Sequence, residues 1–140
     1  MISKEKDNLI FIRLFPGEEI NKGIIEACKK HDLKSGVVLS GIGQLKDVKL
    51  GYFKKKGDYQ PQTFEKPTEL ISLTGNICRQ EGRYILHNHT ALGTEEKKLI
   101  GGHLIQGIVN ITAEIVVMKS GIDISRKQDK QTGLLGLHLE

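Results

Sequence analysis

Apolar and polar residues alternate along most of this chain, and one early stretch changes to a helical rhythm. From Glu18 to His31 the apolar residues Ile20, Ile24, Ala27 and Cys28 fall on one stripe. Glu18 and Glu19 open that stretch and Lys29 and Lys30 close it, the charge order that suits a helix dipole. This predicts the principal helix. Ahead of it, Asn8 to Leu14 reads as a strand ended by Pro16-Gly17. After it the pattern predicts strands over Ser35–Leu45, Asp47–Lys54, Thr68–Ile77, Gly82–Leu92, Ile100–Gln106 and Val109–Met118. Lys54–Gly57 reads as a turn and Gly93–Leu99 as a polar connection, while Ile122–Arg126 and Leu134–Leu139 read as edge strands. One helix followed by consecutive strands predicts an α+β domain with a mainly antiparallel sheet.

The chain has 140 residues, the size of a single domain, with possible C-terminal strands within 120–140. No apolar run reaches the ~18–20 residues of a membrane span, and the charged start Met1–Asp7 lacks a secretion signal's apolar core. A cytoplasmic location is therefore expected, with no membrane partner. There Cys28 and Cys78 are expected to be buried free thiols. The net charge of +4 permits an acidic partner such as nucleic acid without requiring one. Lys54-Lys55-Lys56, Lys97-Lys98 and Arg126-Lys127 are short enough to be solvated turns or strand ends, and no aromatic residues interleave with them.

The segment Ile85-Leu86-His87-Asn88-His89-Thr90 carries the most chemistry. Residues two apart in a strand share a face, so His87 and His89 project together. Two imidazoles so placed can converge on one ion at about 2.0–2.1 Å from each nitrogen. His103, preceded by two glycines that permit close backbone approach, is the candidate third ligand. Such a site suits Zn²⁺ first, and would also accept Fe, Ni or Cu. The bland alternative is a histidine pair that holds no ion.

On Val109–Val117, Asn110, Thr112 and Glu114 share one face. Glu114 is thus a candidate general acid/base or a partner behind a ligand histidine. The alternative is a face that is solvated or meets another subunit. Gly41-Ile42-Gly43 lacks the third glycine of a dinucleotide fingerprint, so close strand packing explains it and no organic cofactor is expected. No nucleophile motif is present.

Several segments in fixed order carry a resemblance. They are Arg13–Ile20, Gly36–Gly43, Val48–Phe53, Glu69–Ile77, His87-Asn88-His89, Gly101-Gly102-His103-Leu104 and Thr112–Ile115. Over residues 8–119 the chain resembles the plants-and-prokaryotes-conserved (PPC) domain. The resemblance implies a homotrimer, a fold similar to that of acetolactate decarboxylase, and a DNA-binding label in prokaryotic members. It also implies His87, His89 and His103 as metal ligands. The Arg-Gly-Arg-Pro hook of plant members is not in this sequence, and their Gly-Arg-Phe-Glu-Ile-Leu core reads Lys66-Pro67-Thr68-Glu69-Leu70-Ile71. Any DNA contact is then expected to be weak and dominated by phosphates. The leading expectation is a trimeric DNA-associated or regulatory protein with a three-histidine metal site. The alternatives are a zinc-dependent lyase or hydrolase of a small organic acid, and a structural trimer that binds protein partners.

Overall fold

The computed structural model describes residues 1–139. Nine strands and one helix follow in the order β1 (Ile2–Lys6), β2 (Leu9–Leu14), α1 (Ile20–Lys30), β3 (Ser35–Lys55), β4 (Asp58–Phe64), β5 (Thr68–Gln80), β6 (Arg83–Gly93), β7 (Leu99–Ser120), β8 (Ile124–Gln128) and β9 (Leu135–Leu139). Seven strands form one sheet in the order β1-β2-β7-β6-β5-β3-β4, and β8 and β9 form a separate hairpin. Every pairing is antiparallel. The α+β expectation, a mainly antiparallel sheet with one principal helix, therefore holds.

The alternation of β2 buries Ile10, Ile12 and Leu14 against the apolar stripe of α1. Ile20, Ile24, Ala27 and Cys28 of the helix join them in one core with Leu33, Val38, Leu45, Leu73, Val109 and Ile115. Glu19 caps the helix by accepting from Asn21 and Lys22 N–H at 3.2 and 2.8 Å. The far end closes as a Schellman turn: Leu33 N–H reaches the Cys28 carbonyl at 2.9 Å, with Asp32 left-handed at φ 45°.

β3 and β7 run for 21 and 22 residues, and each replaces two expected strands. Their pairing shifts register at four places, and Asp47 sits at φ 50°. Each shift moves side chains to the other face, so a continuous strand reads in sequence as two. Gly43 lies in this region. A Cβ there would stand 2.9 Å from Ala113 Cα, so close strand packing does account for this glycine.

Two strands lie outside the expected set. β1 is charged and is pinned by its neighbours: Lys119 and His31 reach Glu5 at 2.6 and 3.3 Å. β4 contains Pro61, which a strand tolerates at an edge, and β4 ends the sheet. The C-terminal strands pair with each other rather than edging the main sheet. The pairings β7–β6, β6–β5, β5–β3 and β3–β7 close a ring, which carries the strands of His87, His89 and His103.

Candidate metal centre

β6 alternates through the informative segment: His87 and His89 are exposed, while Asn88 and Thr90 are buried. Across the strand boundary His89 stands opposite His103 of β7, and His103 in turn stands opposite Gly51 of β3. The two glycines before His103 make this junction possible. A Cβ on Gly101 would press on the Thr90 carbonyl at 2.6 Å, and one on Gly102 would press on the Gly51 carbonyl at 2.9 Å. Side chains there would push β7 away from both neighbours.

The three rings meet. Their centroids lie 5.1, 5.3 and 5.5 Å apart, and one nitrogen from each falls within 4.8 Å of the others. His87 Nε2 and His89 Nε2 are 3.2 Å apart. Two nitrogens bound tetrahedrally at 2.0–2.1 Å stand about 3.3 Å apart, so this pair is already at ligating separation. The donor set therefore fits a zinc-type ion that keeps one open position toward solvent.

Protonation supports the fit. His87 titrates below the ordinary histidine value through desolvation, then the positive charges of Arg126 and His89. His103 is lowered by desolvation, then by His87 and His89. At neutral pH these imidazoles are neutral, the form that ligates.

Sequence reasoning missed three neighbours of the centre. Tyr59 of β4 packs edge-on to His103 with ring centroids 6.4 Å apart, reaching over the bare backbone of Gly51. Asn76 of β5 is the direct cross-strand partner of His87. Arg126 of β8 donates to Asn76 Oδ1 and is 4% exposed. It is thus buried where a solvated strand end was expected, because the hairpin folds it onto β5. Only the register of strands distant in sequence brings these side chains to the histidines.

Glu114 is elsewhere. It lies eleven residues beyond His103 on β7, exposed, in register with Arg13 and Ile42, and outside the cluster that the three histidines form. The row it belongs to makes its own contacts: Asn110 donates to Gln44 at 2.6 Å, and Gln44 donates to Glu69 at 2.7 Å. Lys54, Lys55, Lys56, Lys97 and Lys98 are exposed as expected. Among the described residues no helix is long and apolar enough to cross a membrane.

Residues 1–121 match the Plants and Prokaryotes Conserved (PCC) domain. A plant- and prokaryote-conserved protein of Pyrococcus horikoshii is 32% identical, with TM-score 0.82 over 99% of this chain and 96% of that one. A Bacteroides thetaiotaomicron protein named a "putative DNA binding protein" is 29% identical, with TM-score 0.91 over 99% and 96%. A metal-containing protein of Archaeoglobus fulgidus is 26% identical, with TM-score 0.82 over 96% of each chain. A stretch of the bifunctional protein GlmU from a Synechococcus strain is 32% identical over 131 residues, 92% of this chain. The chain spans about a fifth of that relative's length.

Proposed function

The chain belongs to the Plants and Prokaryotes Conserved domain family, and on that footing we propose that it is a zinc-binding, DNA-associated regulatory protein that works as a homotrimer. The observation that carries the metal reading is the convergence of His87, His89 and His103, with their ligand nitrogens within 4.8 Å. When bound, zinc on three neutral imidazoles retains positive charge and an open position, and so polarises an oxygen ligand. The Archaeoglobus relative's description as metal-containing agrees with this reading.

Trimer formation is supported by an unpartnered apolar face. Phe11 and Ile42 are 60% and 52% exposed, and they stand in register with Val116 and Glu114, two residues apart on β7, so they share one face. A monomer has little reason to leave such residues in water on one sheet, whereas subunit contact removes them from it. DNA association is supported by the likeness to the Bacteroides "putative DNA binding protein" and by the exposed run Lys54-Lys55-Lys56. Contacts of that type neutralise phosphates, so they weaken steeply with salt. A cytoplasmic location completes the proposal, and the buried free thiols Cys28 and Cys78 suit a reducing compartment.

One preparation tests all three parts. The protein is purified without chelators and its zinc measured per chain. Its mass is then taken by sedimentation, and its gel shift on duplex DNA is compared at low and high salt. About one zinc per chain, a threefold mass and a salt-sensitive shift are expected. Zinc below about half per chain refutes the metal reading, a monomer refutes the assembly, and no shift at low salt refutes DNA association.

A further inference from the structure

The C-terminal hairpin lies beyond the residues matched to the family, 1–121, yet it delivers a buried charge to the histidine face. Gln80 of β5 clamps the Arg126 backbone from both sides. Arg126 N–H donates to Gln80 Oε1 at 2.8 Å, and Gln80 Nε2 donates to the Arg126 carbonyl at 3.4 Å. The Arg126 side chain then runs along β5 to Asn76, where Nη2 donates to Oδ1. Asn76 and His87 are cross-strand partners, so Arg126 stands one residue behind the ligand cluster.

This guanidinium is incompletely satisfied. Among the described residues it has no carboxylate partner, and its buried Nε has no hydrogen-bond partner at all. A buried cation without an anion is costly. The three histidines bring no carboxylate either. A divalent ion at the triad therefore adds positive charge to a place that already holds an unbalanced one.

Asn76 converts that charge into a directed donor. A guanidinium offers only N–H groups, so Asn76 must turn its oxygen toward Arg126. Its Nδ2 hydrogens are then left free on the face that His87 occupies. An ion with an open position, a fixed amide donor beside it and a positive charge behind the donor form a receptor for negatively charged oxygen.

Resting on the metal reading above, we propose that the three-histidine centre receives a small ligand through an oxyanion group, carboxylate or phosphate. Asn76 Nδ2 donates to that group and Arg126 supplies the fixed charge behind it. The hairpin is thus a functional part of the site.

Cobalt(II) is a suitable probe, because its visible absorption changes when an anion enters its coordination sphere. The cobalt-loaded full chain is titrated with acetate in one arm and inorganic phosphate in the other. Saturable spectral change is expected, and the tighter-binding arm identifies the group. Asn76→Asp keeps the side chain's shape and pairs the buried Arg126, but removes both the donor and the unbalanced charge. It should keep one cobalt per chain and lose at least tenfold in anion affinity. Arg126→Gln serves as a second variant, with circular dichroism to verify folding, and should show a loss in the same direction. A wild-type protein that takes up no cobalt defeats the metal reading and this proposal with it. Cobalt uptake with no response to either anion, or with affinity unchanged in the folded variants, overturns this proposal alone.

Discussion

Replacing His89 by Ala separates stability linked to the metal from stability due to packing. His89 is exposed on β6, so truncating it opens no cavity in the core. Without metal the variant should lie within about 0.5 kcal/mol of the parent. With metal the two should part. Because His87 and His89 already stand at ligating separation, 3.2 Å between Nε2 atoms, little rearrangement opposes binding. At a free zinc concentration 100-fold above the dissociation constant, binding to the native state alone adds about 2.7 kcal/mol. For a domain of this size each kcal/mol moves the thermal midpoint by about 3–4 °C, so zinc should raise it by roughly 8–11 °C. Losing residues behind a ligand weakens metal binding by about 10–100-fold, and losing a ligand itself should reach at least the upper end of that range. At the same zinc concentration the variant then gains only about 0.4 kcal/mol, or about 1–2 °C. Far-UV circular dichroism melts with zinc and with a chelator measure both. An equal zinc-induced rise in parent and variant would show that the ion sits elsewhere and refute the triad.

Three further outcomes follow from the same structure. His87 and His103 titrate below the ordinary histidine value of 6.5, so below that pH the unfolded chain binds more protons than the native one. Metal-free stability should therefore be fullest above pH 6.5 and fall as the pH drops through the lowered native values, a slope that His103→Ala should flatten in urea titrations. Gly43→Ala places a Cβ 2.9 Å from Ala113 Cα at a backbone φ of 145°, and should cost at least about 2–3 kcal/mol in urea unfolding. Gly57→Ala meets nothing within 4 Å and is opposed only by its φ of 79°, so it should cost about 1 kcal/mol; equal losses at the two sites would contradict the packing argument. Burial pushes the Cys28 thiol up to about 12, so it should stay unreactive toward a thiol reagent at pH 8 until denaturant is added. Rapid labelling of Cys28 in native buffer would refute its place in the core.

What the chain settles by itself is local. The period of Ile20, Ile24, Ala27 and Cys28 specifies α1, because a helix repeats every few residues and needs no distant partner to declare its buried face. The two-residue period of β6 likewise puts His87 and His89 on one side and Asn88 on the other. The tertiary structure alone decides the rest. β1 and the Pro61 strand exist because neighbouring strands supply their hydrogen bonds, which no pattern within them announces. The long strands β3 and β7 conceal their continuity because each register shift resets the alternation. The centre's remaining parts come together through pairing: His103 meets His89 across a strand boundary, Tyr59 arrives from a sheet edge, and Arg126 reaches Asn76 from a hairpin fifty residues away in sequence. Register between distant strands is fixed by burial of the whole sheet rather than by any short segment, so the sequence marks the three histidines while the fold chooses their surroundings.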